Sequence, residues 1–142
     1  MKIKEVMTTD VETCSPDTPI SEVAKKMKEL DVGVIPVCYG DQLTGLATDR
    51  DLVVKALADG LPLDTPVSEV MTEDPVRGTL EMSAEEAAAL MAEVQIRRLP
   101  IVEQGRLIGI VSLGDLAVTY ELADDAGEAL EEISNPSEPK KY

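Results

Sequence analysis

Two short segments carry the residue types that can do chemistry, and they share one spacing. Gly45-Leu46-Ala47-Thr48-Asp49-Arg50-Asp51 and Gly109-Ile110-Val111-Ser112-Leu113-Gly114-Asp115 both read G-h-x-[ST]-x-x-D, with h apolar. In each, a hydroxyl is followed three residues later by a carboxylate. Thr48 and Ser112 end apolar stretches of strand type, which puts Asp51 and Asp115 in the first turn of the helix expected next. A hydroxyl there can accept a first-turn N–H and cap the helix, and a first-turn carboxylate suits the helix dipole. The same geometry fits a ligand. Helix-start amides attract phosphate, the hydroxyl adds a hydrogen bond, and a carboxylate can accept from both hydroxyls of a ribose diol. Spacing alone leaves capping and nucleoside phosphate binding both open.

Composition removes other chemistries. The 142 residues contain no His, so imidazole general-base catalysis and His-ligated metals are excluded. Cys14 and Cys38 form neither a zinc quartet nor a C-x-x-C pair and are expected as reduced, partly buried thiols. No metal site and no resident cofactor are expected. Phe and Trp are absent and Tyr numbers 3, which nearly excludes a platform for stacking bases. With 13 basic against 28 acidic residues the net charge is −15, so nucleic acid and anionic membrane would be repelled. Carboxylates such as Asp49, Asp51 and Asp115 can bind Mg²⁺, which keeps a metal-dependent phosphatase as the enzyme alternative; nucleotide turnover with and without Mg²⁺ separates it from a non-enzyme. A hydrophobic fraction of 44% beside a charged fraction of 29% is that of a folded domain. No stretch is long and apolar enough to span a membrane. Met1-Lys2-Ile3-Lys4-Glu5 meets charge at once, so no secretory signal is expected and the cytoplasm is the expected location.

The elements that must position the two segments repeat as well. Glu5-Val6-Met7-Thr8 recurs as Glu69-Val70-Met71-Thr72, an offset of 69 − 5 = 64. Pro36/Pro100, Gly45/Gly109 and Asp51/Asp115 keep that offset without a gap. The chain is therefore two copies of one unit: repeat 1 over 1–60, a breaker-rich linker over 61–66, repeat 2 over 67–122, and a C-terminal stretch over 123–142. Isolated copies of that size would be marginal, so the two are expected to bury apolar faces together. Within repeat 1 the pattern predicts an extended segment at Val11 to Ser15 and a helix at Pro19 to Leu30, capped by Asp17 or Thr18. The helix presents Ile20, Val23, Ala24, Met27 and Leu30 on one face. A strand at Val32 to Cys38, with Pro36 marking an edge or bulge, a turn, a strand at Leu43 to Thr48 and a helix at Asp49 to Ala58 follow. Repeat 2 predicts the same order: extended Val76 to Thr79, helix Ser83 to Val94, strands Ile96 to Val102 and Leu107 to Ser112, then a helix. That last helix keeps an apolar stripe at Val118, Leu122, Ala126, Ala129, Leu130 and Ile133. The tail from Asn135 is expected to be disordered.

Together these features resemble the tandem CBS-domain (cystathionine β-synthase-type) family. The resemblance covers about residues 3 to 120. It rests on the E-V-M-T lead-in, the strands Val34-Ile35-Pro36-Val37 and Arg98-Leu99-Pro100-Ile101, the G-h-x-[ST]-x-x-D segments and the β-α-β-β-α order. It implies an α+β fold in which two β-α-β-β-α repeats pack as a pseudo-symmetric pair. It implies a regulatory, non-enzymatic sensor that binds an adenosine compound (AMP, ADP, ATP or S-adenosylmethionine) in the cleft between the repeats and associates as a flat homodimer through helical faces. The signal would pass through conformation, oligomer state or a separate protein target. By resemblance Asp51 and Asp115 meet ribose hydroxyls, and Thr48 and Ser112 meet ribose or phosphate. Asp10 to Glu12 and Val32-Gly33 would wall the Ser112/Asp115 site; Asp74 to Val76 and Ile96-Arg97 would wall the Thr48/Asp51 site. The family's phosphate-meeting positions before the motif proline hold Arg97 and Arg98 in repeat 2 but Gly33 and Val34 in repeat 1. Arginine is scarce here and its fork matches phosphate, so the Ser112/Asp115 site is expected to bear the phosphate, with Arg50 partly compensating at the other. Surface arginines that merely offset an acidic chain, and a ligand-free dimerisation module whose motifs only cap helices, are the alternatives.

Overall fold

The apolar spacing of Ile20, Val23 and Met27 winds helix α1 (Ile20–Leu30), and all three side chains are buried. Its first-turn amides are met by the linker: Ile20 N–H donates to the Thr65 carbonyl at 2.9 Å and Ser21 N–H to that of Leu63 at 3.2 Å. Backbone carbonyls thus do the capping expected of Asp17 or Thr18, and the N-cap position is Pro19. Thr18 Oγ1 instead accepts the Ser15 N–H at 3.1 Å. Ala24 and Leu30, expected on the buried face, are exposed. The structure, a computed structural model, describes residues 1–117; the expected C-terminal helix extension and tail lie outside the described residues.

These residues fall into two units, and the units cut across the sequence repeats. The Thr48 unit comprises Glu12–Pro75 with Gln104–Leu107. In it β1 (Val34–Tyr39) and β2 (Gln42–Thr48) pair antiparallel from Val34↔Thr48 to Tyr39↔Gln42, and the register slips between Val37 and Cys38, just after Pro36. The helical run that follows is α2 (Asp49–Asp51), continued by a wider π turn over Leu52–Leu57. A two-residue strand, β3 (Thr72–Glu73), lies antiparallel on β2 at Gly45 and Leu46. Ile20, Val23, Met27, Ile35, Val37, Ala47, Ala56, Val67 and Val70 form the core with Cys14.

The Ser112 unit comprises Met1–Val11, Val76–Glu103 and the described residues from Ile108. Helix α3 (Ala84–Val94) opens on a reciprocal cap in which Ser83 and Glu86 each accept the other's backbone N–H. Removing such a cap costs about 1 kcal/mol. Strands β4 (Arg98–Glu103) and β5 (Arg106–Ser112) are hydrogen-bonded neighbours, and α4 (Leu113–Ala117) leaves the end of β5. Ile3 joins Ala84, Ala87, Ala88, Met91, Leu99, Ile101, Val111, Leu113 and Leu116 in this core.

Each unit therefore takes its opening segment from the other repeat. The offset of 64 holds contact by contact. Thr72↔Leu46 in one unit matches Thr8↔Ile110 in the other, Cys14↔Val37 matches Gly78↔Ile101, and Pro19↔Pro66 matches Lys2↔Ser83. The motif glycines make the exchange possible. A Cβ on Gly45 would stand 2.5 Å from Met71 Sδ and 2.8 Å from the Thr72 carbonyl oxygen. On Gly109 it would stand 2.7 Å from Met7 Sδ and 2.9 Å from the Thr8 carbonyl oxygen. The E-V-M-T segments and the motif glycines occur together because one lies on the other.

Candidate functional site

Where β2 gives way to α2, Thr48 keeps an extended backbone, which turns its hydroxyl onto the first helical turn. Thr48 Oγ1 accepts the Asp51 N–H at 3.0 Å, and Asp51 Oδ2 accepts the Thr48 N–H at 3.0 Å. Asp51 is only 7% exposed, and its other oxygen, Oδ1, meets Lys55 Nζ at 3.2 Å. Where β5 gives way to α4, Ser112 Oγ likewise accepts the Asp115 N–H at 3.0 Å. Capping is thus realised at both junctions. It leaves each hydroxyl its own proton to donate, and a carboxylate offers about four acceptor positions, of which a cap takes one.

A second tie fixes each junction to the chain just before the first strand. Asp49 N–H donates to the Gly33 carbonyl at 2.9 Å, and Leu113 N–H donates to the Arg97 carbonyl at 3.1 Å. Within each unit this differs from the expected walls: Gly33, expected at the Ser112/Asp115 site, sits beside Thr48 and Asp51, and Arg97, expected at the Thr48/Asp51 site, sits beside Ser112 and Asp115, because each backbone tie closes within its own repeat. Val32 and Ile96 precede them, their N–H groups closing α1 and α3 on the Met27 and Met91 carbonyls, both at 3.0 Å. Arg97 and Arg98 are exposed, and Arg98 Nη1 donates to the Arg97 carbonyl at 3.2 Å. Arg50 is exposed, with its N–H on Asp49 Oδ1 at 2.8 Å.

The lead-in residues fall less close to the junctions. Asp74 belongs to the Thr48 unit, but its N–H donates to the Thr44 carbonyl at 3.2 Å, four residues upstream of Thr48 on β2. Its backbone is left-handed, φ 45°. Asp10 belongs to the Ser112 unit, and the antiparallel bridge Thr8↔Ile110 carries the chain there toward Ile108 rather than Ser112. Glu12 groups with the Thr48 unit, where it pairs with Lys26 at 3.1 Å, and Val76 groups with the Ser112 unit. Two features escaped the sequence reading. The Asp51–Lys55 pair was visible as an i, i+4 spacing. The Asp49 carboxylate beside Gly33 had no sequence signal, because the two are brought together only by the fold.

The cysteines lie apart from this chemistry. Both are buried, and burial is the main cause pushing the Cys14 thiol up to about 11; burial raises Cys38 as well. Among the described residues no group of three His, Cys, Asp or Glu side chains is placed to hold a metal, and no helix is long and apolar enough to cross a membrane.

The model of the CBS domain matches residues 3–57 and again 67–121. The chain belongs to the CBS-domain family. The CBS domain-containing protein YhcV of Bacillus subtilis is 50% identical over 133 residues, 94% of this chain and 95% of YhcV. That relative is thus a CBS-domain protein of nearly the same extent. The crystal structure of hypoxic response protein I, solved with two coordinated zinc ions, is 32% identical with a TM-score of 0.77, covering 84% of this chain and 98% of that one. The CBS-domain protein PAE2072 of Pyrobaculum aerophilum, solved with AMP, shares the fold at a TM-score of 0.79 and 21% identity, over 89% of this chain and 98% of that one. The two CBS repeats and the α+β architecture expected from the sequence are those found.

Proposed function

We propose that this CBS-domain protein is a regulatory, non-catalytic module that binds an adenosine nucleotide and signals through conformation or oligomer state. The observation that carries the reading is the doubled junction: a strand-end hydroxyl, a carboxylate three residues on, and a carbonyl tie to position 33 or 97. It occurs once in each unit with the same hydrogen bonds. AMP in the Pyrobaculum protein supports the ligand class. In this reading Asp115 and Asp51 accept ribose hydroxyls, Ser112 and Thr48 add hydrogen bonds, and Arg97 places a guanidinium beside the Ser112 junction for phosphate. Zinc is not carried over from hypoxic response protein I, because this chain has no His to supply an imidazole ligand. Association as a homodimer belongs to the same reading and is supported by Val53, Val54 and Leu57, which the turn after α2 leaves exposed.

A thermal-shift screen with AMP, ADP, ATP and S-adenosylmethionine tests the reading. Ligand at about 100 times its Kd stabilises a folded chain by roughly 2.7 kcal/mol, a rise of several degrees for a protein of this size. No shift at millimolar ligand sinks it. The Arg97→Ala, Arg98→Ala double variant should then lose affinity for ATP while keeping most of its affinity for adenosine; equal loss for both would make the arginines structural. The second reading, a ligand-free dimerisation module, is favoured by the complete reciprocal cap between Thr48 and Asp51. It predicts that Asp51→Ala lowers the melting temperature and changes nothing else.

A further inference from the structure

The two junctions are equivalent in backbone and opposite in charge. The tie from Asp49 to Gly33 and the tie from Leu113 to Arg97 are the same hydrogen bond displaced by 64 residues. One pair of positions carries a glycine and a carboxylate; the other carries a guanidinium and a leucine buried in the core. The Asp49 side chain is exposed, and its carboxylate is turned toward Gly33. Oδ1 accepts the Arg50 N–H at 2.8 Å, and Oδ2 lies 3.1 Å from where a Cβ on residue 33 would be. The Asp49 carboxylate thus lies against Gly33, and it occupies a first-turn amide that an incoming phosphate would use. The same turn holds two cations. Lys55 is paired with Asp51 at 3.2 Å, and Arg50 is an exposed side chain on a long stem. Neither removes the fixed negative charge at Gly33.

We propose that the Thr48 junction is a site for a nucleoside whose 5′ substituent is uncharged or cationic, such as a sulfonium, and that Asp49 is the residue that rejects a 5′ phosphate there. Asp49 acts as a built-in anion in the phosphate position. A neutral nucleoside keeps Thr48 and Asp51 and meets no like charge. A cationic substituent gains the Asp49 carboxylate as partner, while a phosphate must displace it against repulsion. The Ser112 junction, with Arg97 and Leu113, takes the phosphorylated ligand. This rests on the adenosine reading above and assigns the ligand class of one of its two sites.

Titration calorimetry on the Asp115→Ala protein, in which the Ser112 junction is weakened at least about tenfold, reads the tighter remaining site with adenosine, AMP and S-adenosylmethionine. AMP should bind at least about tenfold more weakly than the other two, the scale of one fixed like charge near a protein surface. Asp49→Asn keeps an acceptor for the Arg50 N–H and removes the charge. Added to Asp115→Ala, it should strengthen AMP about tenfold, weaken S-adenosylmethionine and leave adenosine within about twofold. AMP as tight as adenosine before the Asn change, or unmoved by it, overturns the proposal. So does an Asp115→Ala protein that binds none of the three while the parent still binds AMP, an outcome that leaves the adenosine reading standing. On the parent chain the same difference is read as stoichiometry: one AMP per chain supports the proposal, and two of equal affinity refute it. A parent that binds none of the three overturns both.

Discussion

At the scale of single residues, the question is whether a carboxylate that caps a helix also holds a ligand. Asp115 offers one test: Ser112 Oγ caps through the backbone N–H of residue 115, and that bond survives loss of the side chain. Asp115→Ala should weaken adenine nucleotide binding by about 1.5 to 3 kcal/mol, the worth of hydrogen bonds to a charged group. A 2′-deoxy ligand should lose part of the same energy to the parent. Calorimetry beside a thermal melt separates this from a structural role, which would lower the melting temperature and spare affinity. Cys14 makes a prediction of another kind. Its thiol ionises near 9.0 ordinarily and near 11 when folded, chiefly through burial. Between those values only the unfolded chain releases the proton, and release stabilises it. Stability in place below pH 9 should therefore drain away as pH climbs toward 11, and denaturant melts of Cys14→Ala should show a flatter decline. At this scale the doubled spacing paired Thr48 with Asp51 and Ser112 with Asp115, and the helix caps join those same residues. Asp49 carried no such signal in the sequence, because its meaning depends on a glycine sixteen residues earlier (49 − 33 = 16) that only the fold brings near.

At the scale of elements, periodicity located the long pieces and misjudged their ends. Helices α1 and α3 and all four long strands lie where the apolar patterns put them, within a residue or two at most boundaries. The cap of α1 was misassigned because backbone carbonyls of Leu63 and Thr65, more than forty residues away, do the work of a side chain. Strand β3 was invisible because two residues are too few to show a period of two. Its pairing could not be inferred from the repeat either, since self-similarity says which residues are equivalent and not which ones touch. Two predictions follow from the exchanged segments. Gly109→Ala and Gly45→Ala should each destabilise by about 1 to 3 kcal/mol in a thermal or denaturant melt, the usual cost of forcing extra volume into a packed contact. The methionine sulfur can swing aside, but the carbonyl oxygens of Thr8 and Thr72, at 2.9 and 2.8 Å, belong to the backbone and cannot. The second concerns fragments. Residues 1–60 form one sequence repeat yet lack Val67 and Val70, which are buried in the core with Ile20 and Val23. Residues 12–75 contain all four. Circular dichroism should find the 12–75 fragment more structured than the 1–60 fragment, and the reverse order would refute the exchange.

At the scale of the whole molecule, charge and apolar exposure pull against each other. The chain carries a net −15, so two copies that meet bring thirty like charges together (2 × 15 = 30). Yet Leu57 is 74% exposed, and Val53 and Val54, on the same turn, are at least half exposed. Burying a side chain of this kind fully contributes about 1.5 to 3 kcal/mol, and these three, already partly buried, can each add only a fraction of that toward association. The opposing repulsion is long-ranged and screened by salt, with a Debye length of about 30 Å at 0.01 M and about 8 Å at 0.15 M. The apolar contact is short-ranged and is not weakened by added salt. The homodimer of the proposed reading should therefore tighten as ionic strength rises, the opposite of a dimer held by ion pairs. Sedimentation equilibrium at 10 and 300 mM salt should show the dimer fraction growing with salt in the parent chain. Leu57→Asp should shift the chain to monomer at both concentrations, since it removes the most exposed apolar side chain of the turn and adds a charge in its place. A dimer that dissociates on adding salt, or one indifferent to Leu57→Asp, would place the interface on some other face.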